Sequence, residues 1–394
     1  MAMVYNRQTK RPYFHSPCRV MKAVKPRVCV YWRAGKCNRN PCKFSHAEPK
    51  TEFAKNTTAI RRDEVDDAEK RQQIVCHYWA LGRCSRGNNC KFLHSWCQSD
   101  NKFSLLARLE GYKEVVGIEL PDGSDKLYSA ARDGTMRVWD FESGKCINVL
   151  NKGAEIRCLY RDDCWVFAGM TNMVKAWKIG EAKEFCLDVA GGQVYSLATH
   201  EDTLFAGAND GSIYSWKLGL ESDQVFNSVT TLEGHTGPVE CLTVGAGKLF
   251  SGSTDGTVRM WDPEKFVCVE TLTGHEDTVT SLLCWSSFLL SSSLDGSVRA
   301  WGMSHAGNLE TVYTHKEGQG IVSIFGMLND EGKPILFCSC KDNIVRLYEL
   351  PSFTEKGKIF AKREVRAMQN GPDGSFFTGD GTGAVSIWKW STKL

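Results

Sequence analysis

Residues 253–261 read STDGTVRMW and residues 293–301 read SLDGSVRAW; in both, an Asp-Gly pair is followed by alternating apolar residues that end on Trp. Alternation with a period of two marks a strand with one buried face, and Gly after Asp supplies the positive φ of a tight hairpin turn. Related stretches are RDGTMRVWD at 132–140, NDGSIYSWKL at 209–218 and KDNIVRLYEL at 341–350. Aligning the terminal aromatic gives Trp139, Trp177, Trp216, Trp261, Trp301, Tyr348 and Trp388, spaced by 38–47 residues. Seven units of this size fill residues 103–394, and a period of about 42 residues suits a repeat of four short strands.

Asp stands six residues before the aromatic in five units, at Asp133, Asp210, Asp255, Asp295 and Asp342, while Thr171 and Thr382 take that place in the other two. A catalytic group is needed once, whereas a structural hydrogen bond is needed in every unit, so recurrence argues against an enzyme. There is no nucleophile elbow, phosphate-binding loop or dinucleotide fingerprint either. The pattern resembles the WD-repeat family, and the resemblance implies a seven-bladed β-propeller. It also implies a buried hydrogen-bond chain within a blade, which His235, Ser251, Asp255 and Trp261 match, as do His275, Ser291, Asp295 and Trp301. Elsewhere the Gly-His pair is lost, for example to Gly111-Tyr112, and those blades are expected to rely on packing. Phe103 to Leu109 is expected to close the ring as the outer strand of the last blade. Arg132, Asn209, Thr254, Leu294 and Lys341, each just before a turn, are expected on one face. Cys241, Cys284 and Cys338 lie in apolar strands and read as small buried hydrophobes.

The chain has 394 residues, 42% hydrophobic and 24% charged, with a net charge of +3. No apolar run is long enough to span a bilayer, and the opening MAMVYNRQTK lacks the core of a secretory signal, so an intracellular protein is expected. In a reducing compartment the 17 cysteines are not a disulfide framework. The modest total hides an asymmetry: residues 1–102 carry 21 Lys+Arg against 8 Asp+Glu, and the remainder carries 28 against 38. A basic head on an acidic body points to a polyanion-binding module joined to something else.

Within that head, Cys29, Cys37, Cys42 and His46 read C-x7-C-x4-C-x3-H, and Cys76, Cys84, Cys90 and His94 read C-x7-C-x5-C-x3-H. Three thiolates and one imidazole form a closed four-coordinate zinc shell that suits a structural ion, so two zinc ions are expected. Units this small cannot bury a core, and metal binding is expected to drive their folding. Val28-Cys29-Val30-Tyr31-Trp32 parallels Val75-Cys76-His77-Tyr78-Trp79, and Cys42-Lys43-Phe44 parallels Cys90-Lys91-Phe92. Aromatics interleaved with cations suit single-stranded nucleic acid, because bases stack on exposed rings while Lys and Arg hold phosphate. Packing around the metal is the plainer reading of Tyr31, Trp32, Tyr78 and Trp79, and it is favoured for Trp32 and Trp79.

These residues resemble the CCCH-type zinc-finger family, whose fingers mostly read short single-stranded RNA. Carried over by position, Phe44 and Phe92 match the family's stacking aromatic, with Lys43 and Lys91 beside them. The second stacking aromatic of the best-studied members is absent, since the stretches between the second and third Cys read NRNP and SRGNN. Arg39 and Arg86 are the candidates to stack there through their guanidinium planes.

Two such fingers followed by a propeller resemble the plant CCCH zinc-finger and WD-repeat proteins. The expected architecture is mostly β: a flexible segment at 1–24, a first finger at 25–48, a charged linker at 49–72, a second finger at 73–96 and the seven-bladed propeller at 103–394. The expected function is that of a non-enzymatic adaptor. Its fingers bind single-stranded RNA, with DNA possible, and its propeller recruits proteins; no membrane or small-molecule substrate is expected. The nucleus is favoured over the cytoplasm. A protein-interaction scaffold with protein-binding fingers and a DNA-binding transcription regulator are the alternatives.

Overall fold

The computed structural model describes residues 74–390 except 82, 100–102, 112, 122–124, 142, 163, 180, 182, 220–224, 306 and 330. The segment 1–24, the first finger at 25–48 and the linker at 49–72 therefore lie outside the described residues. The chain divides into two compact units. One holds the second finger up to Gln98 together with Lys358–Lys362; the other comprises Ser99–Gly357 and Arg363–Leu394.

The larger unit is built from antiparallel strands. In one sheet Val239–Gly245, Lys248–Ser253, Val258–Asp262 and Val267–Leu272 follow in chain order from the inner edge outward. The next repeats the plan with Val279–Trp285, Phe288–Ser293, Ser297–Met303 and Leu309–Lys316. Gly256 and Gly296 take φ of 78° and 79° in the turns, and Asn343 occupies the same place with φ 65° where the chain reads Asp-Asn. Only Gly, and less readily Asn, adopts this left-handed conformation at low cost.

The strands Val115–Glu119, Cys158–Asp162, Glu184–His200, Val239–Gly245, Val279–Trp285, Ile321–Leu328 and Val365–Asn370 succeed one another around a closed ring. Apolar faces of neighbouring sheets fill the space between them; Val258, Met260 and Leu272 of one sheet meet Val279, Leu282 and Trp301 of the next. Such side-by-side burial of sheet faces is what makes a propeller cohere.

Among the described residues the strands form six hydrogen-bonded sheets, where the repeats predicted seven of four strands each. The difference arises in the second and third repeats, which share one six-stranded sheet. The strands Trp165–Lys178 and Glu184–His200 are 14 and 17 residues long and run through the places where other repeats break. Thr171 stands where an Asp would start the turn; it pairs with Gln193, and its hydroxyl donates to Gln193 Oε1 at 2.7 Å. A ladder continued across this pair has no reason to split into two sheets.

Closure is made by Phe103–Glu110, which pairs antiparallel with Ala384–Trp390, Phe103 opposite Trp390 and Leu109 opposite Val385. The Phe103 ring packs edge-on against Phe376, Trp388 and Trp390 at 5.4–6.1 Å. Arg108 from this strand pairs with Asp380 at 2.8 Å, with side chains only 14% and 5% exposed. The chain's beginning and end in this unit are thus joined by a sheet edge, an aromatic cluster and a buried ion pair.

Candidate metal centre and nucleic-acid surface

The finger is organised by a few backbone contacts. Val75 and Leu93 form a parallel bridge, with Cys76 N–H donating to Leu93 O at 2.8 Å and Leu93 N–H to Ile74 O at 2.9 Å. This places the first Cys beside the segment that carries His94. A single helical turn, His77–Ala80, follows, capped by Cys76 Sγ, which accepts from Trp79 N–H at 3.4 Å. A short 3-10 turn, Gly87–Asn89, then presents Cys90.

These constraints bring Cys76, Cys84, Cys90 and His94 together, with one ligand atom from each lying within 4.8 Å of all the others. Cys76 and Cys90 sulfurs are 3.6 Å apart. A tetrahedral zinc with sulfur at about 2.3 Å requires sulfur–sulfur edges of about 3.8 Å, so the donor set and its spacing fit zinc. Burial pushes the Cys76 thiol up to about 11, and the neighbouring Cys90 and Cys84 add to the effect. A divalent cation reverses that balance by stabilising thiolate outright. Cys29, Cys37, Cys42 and His46 lie outside the described residues.

The rings of the finger divide into two groups. Trp79 stacks on His94 with centroids 5.8 Å apart and planes at 11°, and also meets Trp96 at 5.6 Å. It forms the small apolar floor of the site. Phe92 is 39% exposed and Tyr78 is 65% exposed. Lys91, Arg83 and Arg86 are exposed as well. Phe92, Lys91 and Arg86 therefore stand where a ligand can reach them, while Phe44, Lys43 and Arg39 lie outside the described residues. The sequence reading grouped Tyr78 with Trp79 as packing; the structure separates them. Neighbouring positions on a helical turn point about 100° apart, which was the available signal.

In the larger unit the two complete repeats form matching chains. Trp261 Nε1–H donates to Ser251 Oγ at 2.8 Å, Ser251 lies 2.7 Å from His235 Nε2, and His235 Nδ1 lies 2.9 Å from Asp255. Trp301, Ser291, His275 and Asp295 repeat these contacts at 2.8, 2.7 and 2.9 Å. With a neutral imidazole every donor finds an acceptor: Trp to Ser, Ser to His, His to Asp. Burial lowers both His below their ordinary value. Asp255 and Asp295 are held down at about 2: burial opposes this, but hydrogen bonds from Thr257 and Ser297, and from the histidines, outweigh it.

Repeats lacking that His were expected to rely on packing, and two of them instead carry charged networks. Glu317 accepts from the Tyr348 hydroxyl at 2.5 Å and lies 3.5 Å from Arg346, which also binds Asp342 at 2.6 Å. In the last repeat Asp380, not Thr382, holds the turn, accepting from Thr382 N–H at 2.8 Å and binding Arg108.

At one end of the ring, ion pairs link several repeats. Arg366 binds Glu364 at 2.6 Å and Glu114 at 3.2 Å; Arg132 binds Glu114 at 3.4 Å and also Glu155; Arg157 binds Glu155 at 2.9 Å. Arg157 also lies 5.7 Å over the Tyr195 ring, whose hydroxyl donates to Asn209 at 3.1 Å. Of the residues expected on one face, Arg132 and Asn209 join this network. Thr254 abuts Gly237 in the loop before the inner strand of its own sheet. Leu294 and Lys341 donate their backbone N–H to Thr278 and Gly320 in the corresponding loops.

Comparison with known proteins agrees with this reading. Residues 74–95 match the family described as CCCH-type zinc finger, 103–140 the WD domain, G-beta repeat, and 199–300 the IP5P C-F beta-propeller. The chain is 42% identical over 398 residues to zinc finger CCCH domain-containing protein 17 of Oryza sativa subsp. japonica, covering 92% of this chain and 91% of that one. It is 43% identical to zinc finger CCCH domain-containing protein 48 of Arabidopsis thaliana, over 93% and 92% of the two chains. Zinc finger CCCH domain-containing protein 62 of Arabidopsis thaliana is 47% identical over 80% of this chain and 76% of its own. A Cys3His cluster followed in the chain by a WD-repeat propeller, and identity maintained across both, establish that the chain belongs to the plant zinc finger CCCH domain-containing proteins.

Proposed function

We propose that the protein is a zinc-dependent adaptor that binds single-stranded RNA through two CCCH fingers and recruits protein partners through its propeller. The observation that carries the reading is the surface around the metal centre. Phe92 is exposed beside Lys91 on a finger whose residues 74–98 contain Arg83 and Arg86 but no Asp or Glu. An exposed ring among cations with no competing carboxylate suits stacking of an unpaired base and contact with its phosphates. Duplex recognition would need an element shaped for a groove, and a single helical turn does not provide one.

Two zinc ions per chain follow from the repeated ligand spacing, the first held by Cys29, Cys37, Cys42 and His46. The propeller is counted as seven blades. Seven inner strands follow around the ring, and the six-stranded sheet equals two blades joined along the strands Trp165–Lys178 and Glu184–His200. The ion-paired end of the ring, with Arg132, Glu155, Arg157 and Arg366, is the surface offered to protein partners. The protein performs no catalysis and acts in the nucleus.

The test uses the full-length zinc-loaded protein with labelled single-stranded RNA, single-stranded DNA and duplex over a range of salt. The reading requires single-stranded RNA to bind most tightly and Phe92→Ala to weaken it by about 1–3 kcal/mol. Preference for duplex, or no RNA affinity at low salt, would reject it.

A further inference from the structure

The compact unit that contains the second finger also takes in Lys358–Lys362, a segment far along the chain. Phe360 N–H donates to Trp96 O at 2.8 Å, which joins the two segments backbone to backbone. Ile359 and Phe360 are buried, and Lys362 is exposed. The Lys362 Nζ lies 5.8 Å over the Trp96 ring, Trp96 meets Trp79 at 5.6 Å, and Trp79 stacks on His94 at 5.8 Å. One run of ring contacts therefore ties Lys362 to the metal centre. A ring face attracts a cation without neutralising it, so the ammonium keeps its N–H donors for an oxygen ligand.

We propose that Lys362 is a phosphate-binding residue of this unit, so that the RNA strand bound by the finger is also held, through its backbone, by a residue outside the finger sequence. This rests on the single-stranded RNA reading above. Three observations favour it over an idle surface lysine. Residues 74–98 and 358–362 contain Arg83, Arg86, Lys91, Lys358 and Lys362 and no Asp or Glu, and a carboxylate-free set of cations complements a polyanion. Glu364, the first carboxylate after Lys362 in the sequence, is taken up by Arg366 at 2.6 Å. The Phe360–Trp96 hydrogen bond and the burial of Ile359 and Phe360 hold the backbone before Lys362, so less freedom is lost when phosphate docks. An ammonium is a compact point charge that contacts phosphate and carries no base preference, so the contribution belongs to affinity and not to sequence choice.

The experiment compares wild type, Lys362→Gln, Lys362→Arg, Lys265→Gln and Phe92→Ala in the full-length zinc-loaded protein. Lys265 is exposed in the other unit and controls for net charge. Affinity for a labelled random single-stranded RNA is measured at several salt concentrations, with zinc content determined in parallel. Lys362→Gln keeps an apolar stem for the Trp96 ring. It is expected to reduce the slope of log affinity against log salt by about 0.7 and to weaken binding about 5-fold near 0.1 M salt, the loss that one such counterion step implies, with zinc content unchanged. Lys362→Arg should keep both slope and affinity, and Lys265→Gln should change neither. If Lys362→Gln behaves as Lys265→Gln while Phe92→Ala weakens binding, Lys362 adds only bulk charge; the proposal falls and the RNA reading stands. Loss of zinc from Lys362→Gln would show that the lysine supports the fold and overturn the proposal. Absence of RNA affinity in the wild type would overturn both.

Discussion

Ser251 and Ser291 show how much one small side chain decides. Each is fully buried and sits between a Trp N–H and a His nitrogen. Ser251→Ala leaves Trp261 Nε1 and His235 Nε2 without their partner, and a buried polar group so stranded costs about 1–3 kcal/mol. The expected loss is therefore about 2–4 kcal/mol, read from the urea midpoint of the unfolding transition. A change below about 0.5 kcal/mol would mean that the chain adds nothing beyond packing. The same chains set a pH dependence. His235 and His275 have lowered pKa values in the folded state, so the unfolded chain takes up protons first as pH falls through about 6.5. Asp255 and Asp295, at about 2, add a second loss as pH falls through about 3.9 toward 2. Stability should therefore decline from pH 7 to 5 and more steeply from 5 to 3. A urea midpoint that is flat or rises over this range would contradict the assignment.

At the level of elements, the turns and strands were legible because Asp-Gly, alternation and the terminal Trp are local signals. Closure by Phe103–Glu110 was legible for the same reason, since the strand resembles the outer strands of other repeats. The replacements were not. Glu317 takes the place of a missing His in company with Arg346 and Tyr348, and a reading tuned to Gly-His passes over such a set. Arg108 and Asp380 are 272 residues apart, and nothing local announces that they meet. The fusion of two repeats depends likewise on a Thr171–Gln193 pairing that spacing alone does not show. In the finger, ligand identity was legible from spacing, whereas the outward turn of Tyr78 required the helical phase. The closure strand carries its own prediction. Arg108→Ala leaves the buried Asp380 carboxylate uncompensated and is expected to cost about 3–5 kcal/mol. Arg108→Met with Asp380→Asn, which removes the charge but keeps a side-chain oxygen for the Thr382 and Ala384 N–H groups, should recover much of that loss. Denaturant unfolding of the two variants checks this, and equal losses in both would place the effect in packing instead of the ion pair.

For the whole molecule, the division of charge is the leading fact: 21 Lys+Arg against 8 Asp+Glu in residues 1–102, and 28 against 38 in the rest. An acidic body does not favour polyanions, so the proposed function places nucleic-acid affinity in the head and protein recruitment in the ring. Long-range attraction by the head weakens with salt, while stacking on exposed rings does not, and the two contributions separate in a salt titration. The most direct test of the account is the affinity of the full-length protein for single-stranded RNA at moderate salt, before and after zinc is removed by a chelator and then restored. The account predicts binding that is lost with the metal and returns with it, and that Phe92→Ala weakens at every salt concentration. RNA binding that survives zinc removal and ignores Phe92→Ala would contradict it, because the finger surface would then be a diffuse cationic tether with no built site.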